Sequence, residues 1–180
     1  MKKLFGLFTV VALVLTSLTG CAAPTYKVGM GTVIEVTGAA ASAEADGKYG
    51  VNTYIATVAL DKDGKIVNAV WDVAQTSNLK FDTTGALKTD LSLYTLATKL
   101  EKGADYGMKG NSAIGKEWDE QAKAFAAWTV GKTIEEVEAL ALDADGKPTD
   151  ADVLASTTVT VSVFIEALKK AVENAVPVAE

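Results

Sequence analysis

A run of three hydroxyl residues stands directly ahead of the last amphipathic segment of this sequence. Ser156, Thr157 and Thr158 precede apolar residues at helical spacing, which predict a helix that begins near Thr160 or Ser162 and is capped by either residue. The first turn of a helix offers unpaired backbone N–H groups and the positive end of the helix dipole. A phosphate group could bind there, although an ordinary helix start is the simpler explanation of this feature taken alone.

The sequence contains one cysteine and begins with a segment typical of an exported lipoprotein. A basic start and an apolar run lead to Leu-Thr-Gly-Cys, the lipobox pattern, which ends at Cys21. This pattern predicts a lipoprotein signal peptide over residues 1–20, lipidation of Cys21 and a tether over residues 21–25. We therefore expect a protein anchored in the cell membrane, on its extracytoplasmic face, with residues 26–180 forming a single domain.

Several classes of function are excluded by residues that the sequence lacks. There is no histidine, and all 17 basic residues are lysine. Ser-His-Asp and Cys-His catalytic sites are therefore impossible, and no arginine can grip a phosphate in a bidentate manner. The net charge of −6 becomes −8 once Lys2 and Lys3 leave with the signal peptide, which argues against nucleic-acid binding. Because a second cysteine is absent, the fold must depend on its hydrophobic core rather than on disulfides.

The first half of the mature chain is typical of an antiparallel sheet. Its β-branched residues and glycines predict a first strand over residues 26–37, and small residues predict a flexible loop over residues 38–47. Two further strands, over residues 51–60 and 66–73, flank a hairpin turn. A separate piece over residues 77–82 is expected to extend the same sheet.

The hairpin turn has the sequence Asp-Lys-Asp-Gly-Lys at residues 61–65 and recurs as Asp-Ala-Asp-Gly-Lys at residues 143–147. An EF-hand calcium loop needs further ligands at set spacings, so each copy is more simply a turn at a strand end. The run Asp-Thr-Thr-Gly-Ala at residues 82–86 is also interpreted as a strand-ending turn.

The second half of the chain is typical of helices. Thr98 and Thr133 are each followed three residues later by glutamate, which is the spacing of a capping box. Between them an apolar stripe predicts a helix over residues 112–130 that ends at Gly131. The last helix is expected to end before Val176-Pro177-Val178 and to leave a frayed tail. Strands first and helices later predict an α+β fold, an antiparallel sheet with helices packed mainly on one face.

Three segments of the chain carry a resemblance to a known family. They are Ala-Asp-Tyr-Gly-Met-Lys at residues 104–109, Ile-Gly-Lys-Glu-Trp-Asp-Glu-Gln-Ala at residues 114–122, and the run at residues 149–159 that contains the hydroxyl residues. The chain resembles the FMN-binding-domain lipoproteins of Gram-positive bacteria that serve in extracellular electron transfer, and more distantly the FMN-binding subunits of the Rnf and sodium-pumping quinone reductase complexes. The resemblance covers most of the mature chain and implies that FMN is the cofactor.

In that family a flavin transferase joins the phosphate of FMN to the last residue of an Asp-x-x-(Ser/Thr)-Gly-Ala-(Thr/Ser) motif. The resemblance implies that the aspartate is Asp152 and that the acceptor is Thr158. Ala155 stands where the family has Ser or Thr, and Ser156 and Thr157 stand where it has Gly and Ala. Thr157 and Thr160 are alternative acceptors, and tight noncovalent binding of FMN is a further alternative.

The sequence also offers surfaces for the isoalloxazine ring of the flavin. The apolar or stacking candidates are Trp118, Tyr106 and Met108, and their possible neighbours are Trp71, Gln75 and Lys109. Taken singly, each of these residues is more often plain core or plain surface. Glu117, Asp119 and Glu120 are interpreted as the solvent-exposed side of their helix.

The function that follows is that of an electron carrier rather than a substrate-specific enzyme, with no catalytic residues, because FMN carries its own redox chemistry. We expect electrons to arrive from a membrane quinol-linked NADH dehydrogenase. A rival interpretation is a solute-binding or adhesive lipoprotein without a cofactor. A third is a partner-binding subunit of a larger membrane reductase.

Overall fold

The structure is a computed structural model that describes residues 26–93 and 97–178. The predicted signal peptide, the predicted lipidation site Cys21 and the tether lie outside the described residues. Within those ranges the chain has an α+β fold, a four-stranded antiparallel sheet with helices packed on one face, as the sequence predicts. No helix in the described ranges has the length and apolar character needed to cross a membrane.

The sheet has the strand order β3-β2-β1-β4. Its strands are β1 (Lys27–Ala39), β2 (Gly47–Leu60), β3 (Ile66–Phe81) and β4 (Val176–Pro177). The strands are longer than predicted, and the piece over residues 77–82 is mostly the end of β3 rather than a separate strand. The predicted frayed tail is also wrong, because Val176 pairs with Val28 and the Val178 N–H donates to the Tyr26 carbonyl at 2.9 Å.

Within the described residues, five α-helices lie between the three long strands and β4 along the chain. They are α1 (Lys99–Lys102), α2 (Trp118–Thr129), α3 (Ile134–Glu138), α4 (Ala151–Leu154) and α5 (Ser162–Glu173). The two predicted capping boxes are present, at Thr98 ahead of α1 and at Thr133 ahead of α3. The helix predicted from residue 112 begins only at Trp118, because Glu117 and Glu120 form a capping box there that was not predicted.

One face of the sheet forms the core with α2 and α5. Alternate residues of β2 and β3, such as Ala56 and Trp71, point to this face and are buried against the helices. Gly29 and Gly31 of β1 lie directly under α5, where a Cβ atom would collide with the helix backbone. The opposite face of the sheet is open. The loops at one end of the buried face form a cavity.

Candidate functional site

A cavity of about 720 Å³ lies beside the buried face of the sheet. Tyr54 of β2 and Trp71 of β3 form its base, and the loop before α2 and the segments around α4 form its sides. Three of the predicted flavin-contacting residues, Tyr106, Met108 and Trp118, line it. The volume lies within the range of ~300–1,000 Å³ typical of pockets for cofactors and small molecules.

The aromatic side chains around the cavity contact one another. The rings of Trp71 and Trp118 are 5.1 Å apart, and Trp71 also stacks on Phe164 of α5 at 4.6 Å. The Lys99 Nζ atom lies 4.9 Å from the Tyr106 ring and 5.2 Å from the Trp118 ring, which places a cation over two aromatic faces. The cavity therefore combines flat apolar surfaces with a positive charge at one side.

Trp71 also brings an unused hydrogen-bond donor to this region. Its indole Nε1 atom is buried and, among the residues described, has no hydrogen-bond partner. A buried donor left in this state costs roughly 1–3 kcal/mol. Because the atom is closed to solvent, it does not open onto the space of the cavity.

The loop that carries Tyr106 and Met108 is held by a buried carboxylate. Glu117 is 8% exposed, and its two oxygens accept the backbone N–H groups of Met108 at 2.8 Å and Lys109 at 3.0 Å. The interpretation of Glu117 as part of a solvent-exposed helix side is therefore wrong. Glu117 instead fixes the loop against the first turn of α2, which carries Trp118 into the cavity wall.

Thr158 lies on the cavity wall, and a buried amide orients its hydroxyl group. The Gln121 Oε1 atom accepts both the Thr158 backbone N–H at 2.8 Å and the Thr158 Oγ1–H at 3.1 Å. The Gln121 Nε2 atom donates to the Ser112 Oγ and to the Lys116 carbonyl, each at 3.1 Å. Since the amide nitrogen is bound to a carbonyl, Oε1 must be the acceptor, and the proton of the Thr158 hydroxyl points at Gln121.

Three other residues of the predicted motif, Asp152, Ser156 and Thr157, do not line the cavity. Thr157 is fully buried and its hydroxyl donates to the Gln121 carbonyl at 3.2 Å, so it cannot serve as an alternative acceptor in the folded chain. The Ser156 hydroxyl donates to the Val153 carbonyl at 3.1 Å, and Asp152 is exposed in the first turn of α4. Thr160 does line the cavity, with its hydroxyl donating to the Asp145 carbonyl at 3.1 Å.

The start of α5 is at the predicted position, but the predicted cap is wrong. The helix begins at Ser162, four residues after Thr158, and neither Thr160 nor Ser162 caps it. Instead the Val161 and Ser162 N–H groups both donate to the Gly146 carbonyl, at 2.8 and 3.1 Å. These two N–H groups are therefore committed to the turn at residues 143–147 rather than to an anion. That turn contributes Asp143 and Lys147 to the cavity wall.

Tyr54 at the base of the cavity stays protonated at neutral pH. Burial, with a hydrogen bond to the Glu35 carboxylate and its negative charge, raises the pKa of Tyr54 to about 12. The side chain is therefore a neutral donor and cannot supply a tyrosinate near a ligand at physiological pH.

Among the residues that build this site, Gln121, Lys99, Tyr54 and Lys147 were not predicted from the sequence. Gln121 stands in the segment at residues 114–122 that carries the family resemblance, but its role depends on an approach of residues 121 and 158 that no local pattern shows. Of the possible neighbours of a flavin ring, Trp71 lines the cavity, whereas Gln75 and Lys109 do not.

Comparison with known proteins gives one informative similarity. The chain is 35% identical over 142 residues to a chlorophenol reductase from Desulfitobacterium hafniense. The match covers 66% of this chain and 42% of that protein, so the chain spans less than half of its relative. By its name the relative is a reductase and therefore a redox protein. No family model matches the chain, and no solved structure matches it.

Proposed function

We propose that this protein is a lipid-anchored, extracytoplasmic FMN-binding protein that transfers electrons. One observation carries the proposal: Thr158 lines a cavity of about 720 Å³ whose wall also includes Trp71, Tyr106, Met108 and Trp118. The cavity thus joins an attachment point for a phosphate with flat surfaces for a three-ring heterocycle. The similarity to a reductase supports a redox role.

The residues present fit a flavin in two respects. Trp118, Tyr106 and Met108 offer apolar faces to a planar ring. The ammonium groups of Lys99 and Lys147 at the cavity suit the negative charge of the phosphate or of the ring. When bound, FMN supplies the one- and two-electron chemistry. The chain binds and orients it and shields its ring from water.

Attachment through Thr158 suits the position of its hydroxyl. The hydroxyl donates its proton to Gln121, so the lone pairs of the Thr158 oxygen are not engaged by this contact. A flavin transferase is the partner that such an attachment requires. Membrane anchoring through Cys21 and electron supply from a quinol-linked NADH dehydrogenase are parts of the same proposal.

The test is the mass of the full chain produced together with a flavin transferase. We expect a yellow protein whose denatured polypeptide retains one FMN residue, mapped by peptide mass spectrometry to Thr158. Thr158→Ala should abolish the adduct, whereas Thr158→Ser and the matched control Thr160→Ala should keep it. An FMN that is released on denaturation would support the noncovalent alternative.

A colourless, unmodified chain under these conditions would contradict the proposal and favour the solute-binding or adhesive lipoprotein. A second candidate, a reductase acting on an aromatic substrate, is favoured only by the similarity to chlorophenol reductase. It is tested by reoxidation of the reduced protein. A carrier should be reoxidised by diverse soluble acceptors at similar rates, whereas a reductase should prefer one substrate class by at least tenfold.

A further inference from the structure

Over residues 28–36, 51–59 and 68–76, the face of the sheet turned away from the helices presents fifteen outward side chains, five from each long strand. We call it the open face; its residues are Val28, Met30, Thr32, Ile34 and Val36 of β1, Val51, Thr53, Ile55, Thr57 and Ala59 of β2, and Asn68, Val70, Asp72, Ala74 and Thr76 of β3. Met30, Ile34 and Val36 are 58%, 64% and 60% exposed. Contiguous apolar exposure of this kind marks an interaction surface.

The open face carries almost no charge. Its single ionisable residue is Asp72, on the edge strand, and the Asp72 carboxylate already accepts the Leu100 N–H at 3.1 Å. Apart from Asp72, the charged residues that give the chain its net charge of −6 lie on other parts of the molecule. A strongly charged partner would be recognised by complementary charges, which the face does not offer.

The edges of the sheet are less available than its face. Lys170 and Asn174 of α5 donate to the Thr32 and Met30 carbonyls of β1, each at 3.3 Å. At the other edge, the first residue of β3, Ile66, exchanges backbone hydrogen bonds with the segment after α2, at 2.7 and 2.9 Å. Lysines and covering segments at strand edges disfavour edge-to-edge pairing, which leaves face-to-face stacking as the mode of contact.

We infer that the open face is the interface of a homodimer, in which two copies of this chain stack their sheets. An uncharged face avoids repulsion between two acidic copies, and two sheets with the same twist pack well at about −30°. From strand geometry the face measures ~27 Å by ~14 Å, or ~400 Å² in projection. Standard interfaces bury ~800 Å² per partner, so the dimer is weak and depends on concentration. Anchoring both copies in one membrane, as proposed above, would raise their effective concentration.

Stacking through the open face leaves the candidate flavin cavity free, because that cavity lies on the buried face of the sheet. A dimer would therefore carry two accessible sites, turned away from each other. The inference does not depend on the identity of the ligand in the cavity.

Disulfide crosslinking of the full chain in its membrane tests the dimer. Thr57 lies on the open face in β2, the middle one of the three long strands, so Thr57→Cys should give a disulfide-linked dimer under mild oxidation. Adding Ile34→Lys to this variant should lower the yield of disulfide-linked dimer at least tenfold, since the lysine would be buried in the interface without a partner. Ile34→Thr should reduce the yield to a smaller extent.

Three controls complete the experiment. The unsubstituted chain reports any crosslinking through Cys21, and Leu91→Cys reports random collision from an exposed position on another part of the surface. Thermal unfolding followed by circular dichroism should show that Ile34→Lys is folded. Equal crosslinking from Leu91→Cys, an unchanged yield with Ile34→Lys, or a crosslinked band with the mass of a different protein would each overturn the homodimer.

Discussion

The two Asp-x-Asp-Gly turns of this chain have the same local structure and different surroundings. In the first, the Asp61 Oδ1 atom accepts the N–H groups of residues 63 and 65 at 2.9 Å, and Gly64 has φ of 78°. In the second, the Asp143 Oδ1 atom accepts those of residues 145 and 147 at 2.9 Å, and Gly146 has φ of 72°. A Cβ atom on Gly64 would meet open space, whereas one on Gly146 would collide with Ser162.

The comparison separates what a short sequence determines from what the tertiary fold adds. The aspartate and glycine form the turn at both places, and a third copy, at residues 82–86, has the same bonds around Asp82. Of the three turns, only the one at residues 143–147 lies against the start of α5, shortly after Thr158. Its Gly146 carbonyl accepts the N–H groups of Val161 and Ser162. The same turn is thus a simple hairpin at one place and a wall of the candidate site at another.

The largest difference is expected between alanine substitutions at the two glycines. Gly64→Ala puts a residue with a Cβ atom into the left-handed backbone conformation, which should lower the free energy of unfolding by ~1–2 kcal/mol. Gly146→Ala adds a collision with the Ser162 side chain, so its free energy of unfolding should fall by ~2–5 kcal/mol in total. Urea unfolding of both variants measures this difference. Gly146→Ala should also lower flavin content, and equal losses of stability would show that Gly146 has no supporting role.

Substitution of the two aspartates should give equal stabilities and unequal flavin binding. Asp61→Ala and Asp143→Ala each remove an acceptor of two N–H groups at an exposed turn. Each substitution should lower the free energy of unfolding by ~1 kcal/mol. Because Asp143 lines the cavity, Asp143→Ala should change the affinity for FMN severalfold, whereas Asp61→Ala should leave it unchanged. Flavin fluorescence titration of chains produced without a transferase provides the measurement. A change of affinity with Asp61→Ala would point to indirect effects on folding.

The smallest effect is expected from the lysines that end the two turns. The Lys147 Nζ atom is 3.7 Å from the Asp145 carboxylate and its side chain is 43% exposed, so the pair adds ~0–1 kcal/mol of stability at most. Lys147→Met should weaken FMN binding two- to fivefold through loss of a charge near the phosphate, and riboflavin binding should not change. Lys65→Met is the matched control and should alter neither. Equal weakening for both ligands would place Lys147 away from the phosphate.

Local signals in the sequence were sufficient to predict the strands, turns and helices, but not the contacts that build the candidate site. Turn chemistry, alternation and capping boxes correctly predicted the strands, the turns and the starts of α1 and α3, because these features depend on neighbours in sequence. The capping of α5 by the Gly146 carbonyl and the buried Glu117 were not predicted. Both depend on segments brought together only by the tertiary fold, as does the contact of Gln121 with Thr158.

The Gln121 amide has a consequence for the modified chain. If the Thr158 oxygen is esterified as proposed, its side chain has no proton to donate, but the Thr158 backbone N–H still reaches Oε1 at 2.8 Å. Gln121 would thus lose one weak bond, worth ~1 kcal/mol, and would keep the shorter one. The free and the flavin-bearing polypeptides can therefore share one backbone arrangement around residue 158, and maturation of the protein would need no refolding of its cofactor segment.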